Sequence, residues 1–244
     1  ILQDNMIWNK LGLIKSPSEN SWKYSHTYVP TPILQNNIIR VLVSFWDKNS
    51  IGRIGFIDLD AKNPLKILNI SENPALDVGS SDAFDCKGVT PVSYIYKNNI
   101  LYLIYTGWGN HNKYPYTLFT GLAVSDNDGK TFSRVFTKPL LAPTEDEPTI
   151  RTAAYITLNQ ELNEYWMWYV GGKEWFMADN RLTPTYSLKL IRSLDLFNWE
   201  GIDSTTVMEA DSAINEYAIG RPCILKNNKK YSLYYSSRQY NHGY

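Results

Sequence analysis

Nothing in this chain approaches the roughly 20 consecutive apolar residues that a membrane helix needs, so membrane insertion is not expected. Cysteine is almost missing: Cys86 and Cys223 are the only two among 244 residues, too few for a disulfide scaffold, and both are expected to stay reduced and structural. An excess of charge of either sign is also absent. Lys and Arg number 24 and Asp and Glu 24, which leaves no electrostatic footprint for nucleic acid or for a membrane surface. No His-x-x-x-His pair, cysteine cluster, phosphate-cradling glycine loop or nucleophile elbow occurs. Helix-forming runs are scarce. No secretory leader is visible, which leans toward a cytoplasmic location, while a chain beginning at Ile1 rather than Met leaves a processed start open.

Aromatic residues are plentiful instead, with 18 Tyr and 8 Trp. They fall in short runs with β-branched residues, split by Asn-containing turns. Such side chains suit a pleated, half-buried surface, so the runs read as β-hairpins. Phe84 to Trp108 sets the pattern: an acidic residue, punctuation at Gly88 and Pro91, an apolar run, the turn Lys97-Asn98-Asn99, and a second run rich in Tyr, Leu and Ile.

The pattern occurs four times, over 31–47, 90–108, 152–172 and 221–238, with anchors at Pro32, Pro91, Ala153 and Pro222. The period is roughly 60 residues, longer than the ~40–50 of the common propeller blades. A repeated β unit favours one all-β domain over 1–244, with radially arranged sheets and one blade per copy.

Other strands fill in the repeat. Residues 53–59, 121–125 and 188–193 read as third strands, and 128–132 and 195–199 as polar turns leading into outer strands. Residues 7–14 are apolar enough for a strand that would close the ring, and 16–20 read as a loop. The fourth copy has no second half before Tyr244. An unfinished blade leaves an open sheet edge, so the C-terminal part of the ring is expected to be missing from this chain.

Six residues before the anchors stand His26, Asp85, Glu147 and Glu216. In a propeller the innermost strands line the axis, so these four are expected to converge on one mouth of the central cavity. Asp47, Trp108, Gly172 and Arg238 end the second strands, and Arg151 and Arg221 lie beside the anchors. Tyr and Trp faces stack on sugar rings, while Arg and carboxylates bond hydroxyls or acidic substituents, so the pocket suits a carbohydrate. Trp108 and Trp175 are the tryptophans expected at the cavity; Trp166, Trp168 and Trp199 are assigned to the core. No cofactor is expected, and an axial metal held by the carboxylates is the lesser alternative.

The segments Trp8 to Ile14, Ser25-His26, Phe84-Asp85-x-x-Gly88-Val89-x-Pro91, Tyr105-Thr106-Gly107-Trp108, Gly121 to Ser125 and Glu216-Tyr217-Ala218-Ile219-x-Arg221-Pro222 resemble the superfamily of arabinanases, levansucrases and invertases. The resemblance implies a five-bladed β-propeller that hydrolyses glycosides in its axial pocket. One carboxyl group is protonated to help the leaving oxygen depart, and another is ionised to activate water or attack carbon. By position, Asp85 falls where an orienting Asp of the second blade belongs and Glu147 where the acid of the third belongs. The first blade departs from the pattern, offering His26 instead of Asp; an imidazole can serve as a base, and Asp47 or Glu216 are the other candidates for holding the water.

Two alternatives stay open: a carbohydrate-binding propeller that has lost the standard base, and a phosphorylase or glycosyl transferase whose arginines hold phosphate. A smaller motif, Ser125-x-Asn127-x-Gly129-x-Thr131-Phe132, is similar to the Asp-box turn of sialidases, whose sites hold a carboxylate with an arginine triad. Arg151, Arg221 and Arg238 are candidates for that role. The box itself is a hairpin turn remote from the axis, so it argues for blades more than for sialic acid.

Overall fold

The computed structural model describes residues 9–17, 21–178, 180–227 and 230–240. Among these there is no α-helix, only the 3-10 turns Ser21–Lys23 and Ser212–Ile214 between strands. The first blade is an antiparallel meander of β1 (His26–Gln35), β2 (Ile38–Trp46), β3 (Gly52–Asp60) and the short outer β4 (Ile67–Ile70). The second repeats it with β5 (Gly88–Lys97), β6 (Ile100–Gly109), β7 (Thr117–Ser125) and β8 (Ser133–Arg134).

The third blade begins with β9 (Ile150–Asn159) and β10 (Glu164–Gly172) and then inserts a separate hairpin, β11 (Trp175–Ala178) with β12 (Arg181–Pro184). It resumes with β13 (Ser187–Ser193) and β14 (Thr205–Met208). The hairpin of β15 (Glu216–Asn227) and β16 (Lys230–Gln239) is the fourth copy.

The blades are stitched at one level. Gly52 at the start of β3 bridges in parallel to Gly88, Leu118 of β7 to Ile150, and Tyr186, beside β13, to Ala218. Each third strand thus abuts the first strand of the next blade at one end, and the inner strands β1, β5, β9 and β15 neighbour one another in that order. Buried side-chain contacts reinforce the seams: Ser44 donates to the Val89 carbonyl at 2.9 Å, and Ser93 to that of Ala154 at 2.8 Å.

Strand alternation divides the core by blade interface. Leu103 and Tyr105 of β6 face the first blade and pack with Ile33, Leu42, Ile54 and Phe56. Ile104, between them, faces the third blade and packs with Ala154, Ile156, Met167 and Tyr169. A blade buried on both faces explains why the inner and middle strands read as nearly continuous apolar runs.

The four hairpins and three third strands expected from sequence are present, but several boundaries differ. Residues 128–132 form a turn, with Asp128 and Gly129 at φ 59° and 81°, and the outer strand follows at Ser133–Arg134. That turn docks on the first blade, where Arg40 donates to the Asp128 carbonyl at 2.9 Å. Residues 195–199 also form a turn, in which Trp199 is buried with its indole bonded to the Leu196 carbonyl, and the outer strand lies at Thr205–Met208. Residues 9–14 have no strand, and Leu11 and Leu13 are exposed; Ile7, Trp8 and residues 18–20 of the expected loop lie outside the described residues. Trp166 and Trp168 are half-buried, not full core members. Cys86 and Cys223 are free thiols.

Candidate functional site

Each inner hairpin carries a β-bulge at the axis, with one extra residue on the first strand. The registers on either side fix the true repeat. His26 pairs with Trp46, Gly88 with Trp108, Ile150 with Gly172 and Ala218 with Arg238. The bulge residues that correspond are Val29, Pro91, Ala153 and Arg221, and all but the proline take left-handed backbone, at φ 53°, 51° and 55°. Proline cannot, because its ring fixes φ near −65°. Bulges re-aim side chains, and residues held in sparsely populated conformations concentrate at functional sites.

This frame corrects the sequence alignment. Asp85 and Glu147 do occupy one repeat position, three residues before β5 and β9; its counterpart before β1 is Lys23, and in the fourth copy a second register shift, between Glu216 and Ala218, moves Glu216 off that level. His26 and Glu216 fall elsewhere in the repeat, because the first anchor belongs at Val29 and not at Pro32, and the fourth at Arg221 and not at Pro222.

Around the bulges lies a narrow throat of about 100 Å³, walled by Val29, Val92, Thr106, Ala153 and Val170, with Tyr28, Tyr186, Arg221 and Arg238 also lining it. It shares Thr90, Trp108 and Tyr116 with a wider cleft of about 570 Å³ that opens between the first two blades and is bordered by Trp46, Asn49, Lys87 and Asn110. An arc of rings follows the mouth. His26 packs on Trp46 at 4.5 Å between centroids, Trp46 meets Trp108 at 6.4 Å, Trp108 meets Tyr116 at 5.1 Å, and Tyr116 meets Trp175 at 5.1 Å. Trp175, on the inserted hairpin, also stacks on Tyr114 and donates to Thr149 Oγ1.

The two matching carboxylates lie behind this throat. Thr106 lines it, so its neighbours Tyr105 and Gly107 point to the opposite face of the blade, and there Asp85 is fully buried. Tyr105 Oη donates to Asp85 Oδ2 at 2.9 Å and Arg134 Nε at 2.8 Å. A Cβ on Gly107 would come 2.5 Å from the Phe84 ring and 2.6 Å from the Asp85 Cβ, so glycine makes room for both side chains. Burial, then the Asp85 charge, pushes the Tyr105 phenol well above its usual range, which keeps it a donor.

The third blade repeats the arrangement. Val170 lines the throat, and Tyr169 and Gly171 turn to Glu147, which is 3% exposed. Glu147 accepts from Tyr169 Oη at 3.1 Å, meets Arg151 Nε at 2.6 Å in an oblique ion-pair contact, and meets Lys189 Nζ at 2.5 Å. Arg151 therefore belongs with Glu147 behind the wall, where it also donates to the Ala142 carbonyl.

The other expected residues are dispersed. Asp47 closes the β2–β3 turn: its carboxylate accepts from the backbone of Asn49 and Ile51 and pairs with Arg53 at 2.8 Å. Burial pushes its carboxyl up, but the Arg53 bond and those N–H groups outweigh it and hold the carboxyl below its ordinary value. Glu216 accepts from the Asp211 backbone in the loop before β15. His26 is exposed, with Ser25 Oγ 2.9 Å from its Nδ1. Of the sequence-predicted set, the throat gathers Trp108, Arg221 and Arg238. Sequence reasoning missed Tyr105, Tyr169, Arg134 and Lys189; the Tyr-x-Gly spacing common to β6 and β10 was the available signal for the tyrosines. Among the described residues no three His, Cys, Asp or Glu side chains gather as a metal-binding group.

No family model matches the chain. An uncharacterised protein of Mycobacterium tuberculosis, found in two strains, is 29% identical over 235 residues, which span 96% of this chain and 76% of the relative. Among solved structures, a glycoside hydrolase aligns over 95% of this chain and 71% of its own length, with a TM-score of 0.69 at 16% identity. The α-L-arabinofuranosidase from Lactobacillus brevis aligns over 93% and 70%, with a TM-score of 0.63 at 14%. The fold is that of propeller glycoside hydrolases. A structure from the GH130 family of mannoside phosphorylases, described as containing glycoside hydrolases that target β-1,2-mannosidic linkages in Candida mannan, aligns over 92% and 67%, with a TM-score of 0.66 at 15%. At these identities the likeness is one of fold, and a fold hosts many activities.

Proposed function

We propose that this chain is a carbohydrate-recognising propeller of the five-bladed arabinanase, levansucrase and invertase type, in which the throat and the cleft above it hold a sugar. The observation that carries this reading is the composition of the mouth: Trp46, Trp108, Tyr28 and Tyr116 offer ring faces, Arg221 and Arg238 bring guanidinium groups, and among the described residues no carboxylate lines the throat. Aromatic faces pack against the C–H faces of sugars, and a few polar groups fix orientation. Asp85 and Glu147, each held by a tyrosine and by cationic side chains, brace the walls from behind. The test is binding of the full chain to a glycan panel, with Trp108→Ala as the control. Binding to at least one glycan that weakens in the variant is expected; no binding across the panel overturns the reading.

A second reading, glycoside hydrolysis by Asp85 and Glu147, is favoured by one detail: Asp85 Oδ1 is buried without a hydrogen-bond partner. Hydrolysis needs two carboxyl groups about 5–9.5 Å apart across the bond, one of them protonated, with His26, Asp47 or Glu216 as the third group. It is tested by glycosidase assay of Asp85→Asn and Glu147→Gln. Turnover lost in both folded variants supports it; turnover absent from the wild type removes it. Turnover that requires phosphate would identify a phosphorylase instead.

A further inference from the structure

The positive charge of the throat comes from one hairpin. At the four bulges stand Val29, Pro91, Ala153 and Arg221, so three blades present apolar groups and the fourth a guanidinium. At the level where the first two blades carry Trp46 and Trp108 and the third Gly172, the fourth carries Arg238, which also lines the throat. Arg221 is kept on left-handed backbone, at φ 55°, a conformation disfavoured for a long side chain.

The threonine hydroxyls nearby already have partners. Thr90 Oγ1 accepts from the Trp108 indole at 3.1 Å, and Thr152 bonds Thr106 at 2.7 Å. Among the described residues Arg221 makes no ion pair, and Asp85 and Glu147 lie on the far faces of their sheets with cations of their own. Arg221 is exposed at the mouth, open to an incoming ligand, and the planar fork of a guanidinium matches carboxylate, sulfate and phosphate oxygens.

We propose that the sugar held here carries an oxyanion substituent, a uronate carboxylate or a sulfate or phosphate ester, read by Arg221 with Arg238. This rests on the carbohydrate reading and narrows it to acidic glycans. The neutral partners then come from the ring arc, and the charged group of the ligand goes down the throat toward the fourth blade.

The experiment is calorimetric titration of the full chain with trigalacturonate and its carboxyl-reduced trisaccharide, and with galactose 6-sulfate, galactose 6-phosphate and galactose. At least one acidic sugar is expected to bind about tenfold or more tighter than its neutral counterpart, and the advantage should shrink as salt is raised. Which acid shows it identifies the substituent. Arg221→Asn removes the charge with a residue that tolerates left-handed backbone; it should abolish the advantage of the acidic sugar over its neutral counterpart while keeping the thermal midpoint, and Arg221→Lys should restore part of it. Equal binding of acidic and neutral sugars, or an advantage that survives both Arg221→Asn and Arg238→Gln, overturns this inference and leaves the carbohydrate reading standing. Failure of every sugar to bind overturns both.

Discussion

Tyr105 donates its hydroxyl to Asp85 at 2.9 Å, and one blade later Tyr169 makes the same contact with Glu147 at 3.1 Å. The acid before the first strand, the phenol on the middle strand and the glycine two residues after that phenol recur as a unit. In both blades a cation completes it: Arg134 for Asp85, and Arg151 with Lys189 for Glu147.

Breaking a buried pair by neutralising one partner is destabilising, because the other charge is left without compensation. We expect Glu147→Gln to cost about 3–5 kcal/mol and Asp85→Asn less, about 1–3 kcal/mol, since the Arg134 side chain keeps contact with water. Urea denaturation checks both. Wild-type stability together with lost turnover would move the two residues from bracing to chemistry.

Gly171 is needed for lack of a side chain. A Cβ there would overlap the Glu147 carboxylate, which cannot retreat from Arg151 and Lys189. Gly171→Ala should cost about 2–4 kcal/mol through this crowding. Gly201→Ala is the contrast: the space is open but φ is 69°, so about 1 kcal/mol of backbone strain is expected. Equal thermal midpoints for the two variants would refute the crowding argument.

Trp108 and Trp199 separate recognition from packing. Trp108 borders both cavities, whereas Trp199 is 2% exposed in the core between the second and third blades. Trp108→Ala should weaken glycan binding about tenfold. Trp199→Phe should leave affinity unchanged and lower stability by about 1–3 kcal/mol. Titration and thermal melting of each variant give the two readouts.

Asp47 gives an acid-dependent contribution of known sign. Its folded-state carboxyl lies below the ordinary value, so its ion pair with Arg53 stabilises fully above the unfolded carboxylate range of about pH 4 and is lost as pH falls through the lower folded value. The pair is near the surface and screened, so about 0.5–1 kcal/mol is expected. Denaturation of wild type and Asp47→Asn should differ at pH 7 and converge near the acid end; a gap that widens on acidification contradicts the assignment.

The hairpins were legible because their signals are local. Asn-containing turns, paired aromatic runs and a third strand of alternating residues specify each unit without reference to the rest of the chain. Asp85 and Glu147 could likewise be matched to each other, since the anchors used for the second and third repeats, Pro91 and Ala153, are residues that correspond in the structure. The first and fourth repeats could not be aligned this way. A bulge adds one unpaired residue, and proline occurs at different offsets around it, at Pro30 and Pro32 in β1 and at Pro222 in β15. Using proline as the anchor therefore moved His26 and Glu216 onto a level they do not occupy.

The amino-acid order by itself determined the strands, their pairing into repeated hairpins, and the supply of aromatic and charged groups near the axis. Only the tertiary structure decided which face of each blade a side chain took: strand alternation sends Thr106 and Val170 to the throat and, with them, Asp85 and Glu147 to the opposite face. The partners that hold those carboxylates, Arg134 from an outer strand and Lys189 from beyond an inserted hairpin, arrive through packing between distant segments. No local pattern encodes that meeting, because it depends on how blades stack and not on how any one of them is written.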